Sequence, residues 1–336
     1  MTPVAPRIRR LAVAALAAVA AVAGLAACSS SGGQPKSIKL VAYSVPKPAY
    51  DALGAAFAKT SEGKNVAIKG SYGPSGSQSK AVLAGQKADY VAFSVEPDLT
   101  KLVPAKVDAS WNTGSTKGLV SDSVVVIVVR KGNPLHITGW DDLIKPGVKI
   151  VTPDPASSGS AKWNILAAYT HVLSQGGSAA DAKAYLTQFF KHVVSRASSG
   201  AVATTQFTSG TGDVLISYEN EAISTRAKAA AIDYLVPDQS VLIENPAAVT
   251  KTAPKVAKQF LSFVESAQGQ QIFASHGFRP VVPGTKIGTV KGANDPTNPF
   301  PKVQQLTTVA ELGGWQVVND KFFGDNGIVT KIEAAT

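Results

Sequence analysis

Three short segments combine serine with glycine: Gly73-Pro-Ser75-Gly76-Ser77, Ser157-Ser158-Gly159-Ser160 and Ser198-Ser199-Gly200-Ala201. The first two lead into stretches with helical spacing, and the third offers amides of the same kind. Glycine lets backbone come close to a ligand. Serine supplies a hydroxyl donor. The first amides of a helix are unpaired donors at the positive end of its dipole. Loops of this type suit an anion. Each one alone also reads as a serine N-cap beside a turn glycine. Three of them, spread over two candidate lobes, favour a shared anion site.

Catalytic patterns do not fit. A nucleotide phosphate loop needs Gly, four residues, then Gly-Lys-Ser/Thr, and none is present. Gly73-Pro-Ser75-Gly76-Ser77 fails the Gly-x-Ser-x-Gly elbow at its last position. His136, His171, His192 and His276 form no His-Glu-x-x-His pattern, and each reads as structural. His276 precedes Gly277 at an expected helix end, where the dipole favours a cation. Glu219 and Glu221 flank Asn220; two residues apart, they face differently on a helix and read as helix-face or domain-contact residues. The expectation is a protein that is not an enzyme and uses no cofactor and no metal.

The chain has 336 residues, 45% hydrophobic and 17% charged, which excludes a disordered class. At roughly 150 residues per domain, about two domains are expected. The 33 basic and 23 acidic residues give a net charge of +10, at first a nucleic-acid or membrane-surface signal. The single cysteine, Cys28, excludes an intramolecular disulfide and a Cys-rich zinc site. Arg7, Arg9 and Arg10 open a basic start, and an apolar run from Leu11 to Ala23 follows. That run is too short for a comfortable membrane span of about 20 residues. It ends in Leu25-Ala26-Ala27-Cys28, which completes the layout of a secretory signal. Small residues before the only cysteine fit a bacterial lipobox. Residues 1–27 are therefore expected to be a lipoprotein signal peptide, Cys28 the lipidation site and residues 28–36 a flexible tether. A plain signal peptide with a free cysteine is the alternative, and Arg9-Arg10 leaves a twin-arginine route open. Removing three arginines from 33 basic residues leaves 30 against 23 acidic, a net charge of +7. The mature body is expected on the outer face of the cytoplasmic membrane.

The elements that must hold the Ser/Gly loops alternate between strand and helix. Ile38–Tyr43, Val66–Ile68 and Asp89–Phe93 read as strands. Tyr50, Leu53 and Phe57 mark a helix, and another spans about 78–84. Gly70–Ser77 reads as loop. Val124–Val129 is an apolar β-branched run suited to a strand buried on both faces. Val148–Val151 and Gly212–Ile216 are further strands. Helices are expected around Trp163–Thr170, Tyr185–Val193, Val256–Val264 and Gln270–Ala274. No internal repeat is present. The pattern is α/β with a mainly parallel sheet, in two lobes.

The mature chain resembles the bacterial sulfate-binding proteins of ATP-binding-cassette importers. The resemblance rests on Val129-Arg-Lys-Gly-Asn-Pro134, Trp140-Asp-Asp-Leu-Ile-Lys-Pro-Gly147, Thr152-Pro-Asp-Pro-Ala-Ser-Ser-Gly-Ser-Ala-Lys-Trp-Asn164, Gly212-Asp-Val-Leu-Ile216, Tyr218-Glu-Asn-Glu-Ala222 and Phe278-Arg-Pro280. It implies a two-lobed periplasmic-binding-protein fold of type II, with the ligand in the cleft between lobes. Lobe one would comprise 37–123 plus 238–336, and lobe two 124–237. It implies a sulfate held by the hydroxyl and amide of Ser75, the hydroxyl of Ser158, the amides of Gly159, Ser160 and Ala201, and a side-chain donor at position 218. The family places a tryptophan there, and this chain has Tyr218. Ser160 stands where the family often has glycine, and Tyr43-Ser44 is followed by Val45-Pro46 rather than by an aspartate.

Sulfate is fully ionised at neutral pH and only accepts hydrogen bonds, so a shell of donors suits it. Hydrogen phosphate carries a proton that would be left unpaired, which is costly when buried. Neutral donors to an anion make strong charge-assisted bonds, so no lysine or arginine is required. Neither Asp154 nor Glu219 is expected to reach the ion. The implied partners are sulfate, the permease subunits and, through the lipid, the membrane; nucleic acid is not a partner, and a monomer is expected. Rival readings are a binder of thiosulfate, molybdate or tungstate, an exported hydrolase or transferase, and an adhesion or antigen module.

Overall fold

The computed structural model describes residues 36–335. The expected leader 1–27, Cys28 and the tether as far as residue 35 lie outside the described residues. In chain order the elements are β1 (Lys36–Tyr43), α1 (Lys47–Phe57), β2 (Val66–Gly73), α2 (Ser75–Leu83), β3 (Tyr90–Ala92), α3 (Glu96–Thr100) and β4 (Leu119–Arg130). They continue with β5 (Ile150–Pro153), α4 (Gly159–Ser174), α5 (Ala179–His192), β6 (Val193–Ala197), α6 (Gly200–Thr208), β7 (Val214–Tyr218), α7 (Glu219–Ala227) and β8 (Ile232–Leu235). The last are β9 (Gln239–Val249), α8 (Lys255–Val264), α9 (Ala267–Ser275), β10 (Gln305–Thr307), α10 (Gly314–Val318) and α11 (Ile328–Glu333). Among the described residues no helix is long and apolar enough to cross a membrane.

The strands follow the order β2-β1-β3-β9-β4-β7-β5-β6, with β8 added to β4 and β10 to β9. The β1–β2, β1–β3, β5–β6 and β5–β7 pairs are parallel. Two long strands, β4 and β9, connect the parallel groups. The first part of β4 pairs antiparallel with β9, from Leu119↔Pro246 to Val124↔Leu242. Its second part pairs with β7, from Val125↔Tyr218 to Val129↔Val214. The end of β9 pairs with β3 through Ala247–Val249. Residues on either side of the β4–β9 crossing therefore share two continuous strands.

The Val124–Val129 run is buried on both faces as its composition demands. Val125, Ile127 and Val129 enter one apolar cluster, and Val124, Val126 and Val128 enter another. The period of two in a strand puts alternate side chains on opposite faces. Burying each such side chain contributes on the order of 1.5–3 kcal/mol, so both faces hold this strand in register. The same alternation in β1 sends Ile38, Leu40 and Ala42 to the first cluster and Val41 to a third.

One feature differs from the sequence expectation. Gly70–Gly73 is strand rather than loop, because it continues the parallel pairing with β1 from Leu40↔Gly70 to Tyr43↔Gly73. This extension brings Ser75 straight to the head of α2. The C-terminal segment, which the lobe boundaries above assign to lobe one, packs on α4 and α5. Trp315 stacks edge-on against Trp163 at 4.9 Å, Phe322 against Tyr169 at 4.7 Å, and Arg196 pairs with Glu333 at 3.2 Å.

Candidate functional site

A small, tightly closed cavity is lined by Tyr43, Ser44, Gly73, Pro74, Ser75, Ser94, Ser158, Gly159, Ser160, Ser199 and Gly200. Its walls come from the carboxyl ends of β1 and β2, the residue two beyond β3, and the starts of α2, α4 and α6. Ligand sites in open α/β sheets lie at such strand ends. Three helix starts converge there, each with unpaired amides and partial positive charge.

Ser158 is the N-cap residue of α4, yet its side chain makes no capping bond. The ordinary N-cap reading therefore fails for Ser158, and its buried hydroxyl stands on the cavity wall. Ser199 behaves the other way: its hydroxyl accepts from Val202 N and caps α6. Gly159 has no room for a side chain, because a Cβ there would lie 2.5 Å from Ser94 Oγ. The glycine allows the head of α4 to meet Ser94 across the cavity.

Ser75 lines the cavity, but its hydroxyl hydrogen is given to Asp98 Oδ2 at 2.7 Å, while Ser94 N donates to Ser75 Oγ at 3.0 Å. Ser75 thus keeps its amide for the cavity. Ser160 is buried on the same wall. Ala201 and Tyr218 are not on it. Ala201 follows Gly200 and faces an adjoining hollow that also contains Ser44, Lys47, Glu221, Lys228 and His276. Tyr218 is fully buried, and its Oη lies 2.6 Å from Ser94 Oγ. So the structure brings Ser75, Ser158, Gly159 and Ser160 together, and sets Ala201 and Tyr218 one residue or one bond behind.

No carboxylate lines the cavity. Asp154 turns back on its own loop, accepting from Ala156 N at 2.8 Å. Glu219 is fully buried and paired with Arg279, at 2.7 Å to Nε and 3.0 Å to Nη2. Glu221 accepts from Ser217 Oγ at 3.1 Å, and burial pushes its carboxyl up to about 7. Among the described residues no group of three or more His, Cys, Asp or Glu side chains could hold a metal ion.

Contacts bridge the cavity. Gly76 N donates to Ser157 O at 3.1 Å, tying α2 to the loop before α4. Trp163 Nε1 donates to Ser94 O at 2.9 Å. Gly73 and Pro74 belong to the first Ser/Gly loop and Tyr43-Ser44 was compared with the family's first loop, but sequence reasoning missed Ser94. Ser44 and Ser94 share a readable signal, because each follows the carboxyl end of a parallel strand.

The family model for bacterial extracellular solute-binding proteins matches residues 38–279. The sulfate-binding protein of Synechococcus elongatus is 39% identical over 322 residues, covering 91% of this chain and 90% of the relative. The thiosulfate-binding protein of Pseudomonas aeruginosa is 32% identical, covering 87% of this chain and 90% of the relative. Among solved structures, a sulfate-binding protein from Mycobacterium tuberculosis is 43% identical with a TM-score of 0.80, covering 86% of this chain and 99% of that one.

Proposed function

The chain belongs to the bacterial extracellular solute-binding proteins, and on that premise we propose that it captures sulfate and delivers it to an ATP-binding-cassette permease. One observation carries the reading: a small cavity at three helix starts, lined by serines and glycines and bearing no carboxylate. Its amides and hydroxyls can all donate to sulfate oxygens, whereas the proton of hydrogen phosphate finds no carboxylate there, only serine hydroxyls that are weaker acceptors.

The ion-binding set is Ser75, Ser158, Gly159, Ser160 and Ala201, with Tyr218 behind the wall against Ser94. Ser75, Gly159, Ser160 and Ala201 supply amides from the starts of α2, α4 and α6, and Ser158 supplies its hydroxyl. The lobes are 37–123 with 238–336 and 124–237, and they hinge on β4 and β9 as the cleft closes. Within those bounds the last segment of lobe one, with α10 and α11, lies against α4 and α5 of lobe two. Cys28 carries the lipid that holds the exported protein, a monomer, at the membrane. The relatives are named as binding proteins, which supports a role without catalysis.

Calorimetric titration tests the reading with sulfate, thiosulfate, molybdate and phosphate. Tight sulfate binding with little phosphate binding is expected. Preference for phosphate or molybdate overturns it. Thiosulfate is the second reading, favoured by the relative of that name and by a donor set that two such similar anions share. Ser158→Ala is expected to weaken binding more than loss of an exposed lysine; equal losses remove Ser158 from the set.

A further inference from the structure

Ser94 is held at every polar atom. Its amide donates to Ser75 Oγ at 3.0 Å. Its carbonyl accepts from Trp163 Nε1 at 2.9 Å and from Asn245 Nδ2 at 3.0 Å. Its hydroxyl lies 2.6 Å from Tyr218 Oη. Ser94 is buried, and it is on the cavity wall. Tyr218 is not on that wall, so a direct bond from the phenol to the ion meets Ser94 in the way.

The direction of the Tyr218–Ser94 bond follows from acidity. A phenolic hydroxyl is a stronger acid than an aliphatic one, and it is the better donor. A buried tyrosine hydroxyl needs a partner, and Ser94 Oγ is in place, with the side chains of Ser160 and Asn245 also bordering the phenol. Burial drives the Tyr218 pKa up, so the proton stays on the phenol. With Tyr218 donating, the hydrogen of Ser94 is released from that bond and is free for the cavity that Ser94 lines. Ser75 has no equivalent freedom, because its hydrogen goes to the Asp98 carboxylate.

We propose that Ser94 is a further anion-binding residue that donates its hydroxyl hydrogen to the ion, and that Tyr218 is a positioning residue acting through it. This rests on the sulfate reading above. The donor from position 218 reaches the ion as a two-step chain, Tyr218 Oη–H to Ser94 Oγ–H to sulfate oxygen. A hydroxyl that accepts one hydrogen bond while donating another is strengthened as a donor.

Titration of Ser94→Ala, Tyr218→Phe and the double variant with sulfate tests the proposal. Losing a hydrogen bond to a charged group lowers affinity about 10- to 100-fold, the expectation for Ser94→Ala. Tyr218→Phe costs less, about 3-fold, because the terminal donor remains. The double variant is expected to match Ser94→Ala alone, since both act on one chain. Losses that multiply, or a Ser94→Ala affinity within about twofold of the parent, overturn it. A crystal structure of the unmutated protein with sulfate gives a readout independent of variant folding. Ser94 Oγ within about 3.0 Å of a sulfate oxygen is expected, and an Oγ turned away from the ion sinks the proposal. Failure of the unmutated protein to bind sulfate would instead refute the functional reading beneath it.

Discussion

Trp163 Nε1 donates to the carbonyl oxygen of Ser94 at 2.9 Å, so the first turn and a half of α4 is fastened to the residue that follows β3 across the cavity. Trp163→Phe keeps an aromatic ring against Trp315 and removes the donor. Ser94 O retains Asn245 Nδ2, so the loss is one hydrogen bond, about 1 kcal/mol. The expected result is roughly fivefold weaker sulfate binding by calorimetry. Small-angle scattering of the ligand-free protein should show a more open average shape. An unchanged affinity would mean that this bond does not contribute to closure.

Gly159→Ala tests how close the walls come. The added Cβ would lie 2.5 Å from Ser94 Oγ and 2.7 Å from Ser94 Cβ, and Ser94 is held on all sides. Alanine suits a helix better than glycine, so α4 itself gains nothing adverse. The expectation is a protein that melts near the parent temperature yet binds sulfate at least about 100-fold more weakly. Gly200→Ala meets Ser160 Oγ at 3.0 Å, Val45 Cγ2 at 3.1 Å and Glu221 Oε2 at 3.2 Å, all side-chain atoms and none nearer than 3.0 Å, and its loss should be smaller.

The contrast between Ser158 and Ser94 shows where sequence reading reaches and where it stops. Ser158 sits in an ordered run from Thr152 to Asn164, and local composition already announces strand, turn, N-cap and helix. The two-faced burial of Val124–Val129 was legible for the same reason: a β-branched apolar run has one comfortable environment. Ser94 follows an ordinary strand, and its meaning depends on Tyr218, 124 residues away. Nothing in a local window encodes that contact. The Asp98 bond that occupies the Ser75 hydroxyl is of the same kind, as is the docking of Asn319 on Lys162, 157 residues apart. Gly70–Gly73 misled because glycine weakens a strand by itself, and only the parallel ladder with β1 holds it extended.

Arg279 and Glu219 form a bidentate pair in which the carboxylate is fully buried. Arg279 also exchanges backbone hydrogen bonds with Asp122, at 2.8 and 2.9 Å. The pair joins the start of α7 to the segment after α9. Removing the guanidinium leaves a buried charge without a partner, which costs about 3–5 kcal/mol. Arg279→Ala is therefore expected to lower the melting temperature by several degrees and to retain sulfate binding where it folds. Glu219→Gln, which leaves the partly exposed Arg279 guanidinium rather than a fully buried carboxylate without its partner, should cost less. A reversed order of the two variants would contradict the desolvation argument.

Asp122 carries a pH dependence with a definite sign. It lies on β4 directly opposite Glu244 of β9, so two carboxyls face each other on the strands that connect the parallel groups. Burial, then the charge of Glu244, pushes Asp122 up to about 8, although Arg279 pulls the other way. An unfolded aspartate titrates near 3.9. Between those values the folded state holds a proton that the unfolded state has released, so stability is full below about 4 and declines as pH rises towards 8. Above that the folded group ionises too and the decline levels off. Asp122→Asn cannot ionise, and it removes this slope. The expected result is a variant more stable than the parent at alkaline pH, on the order of a few kcal/mol, and close to it at about pH 4. Chemical denaturation at three pH values reads the difference. Parallel curves for parent and variant would show that Asp122 does not hold its proton through neutrality.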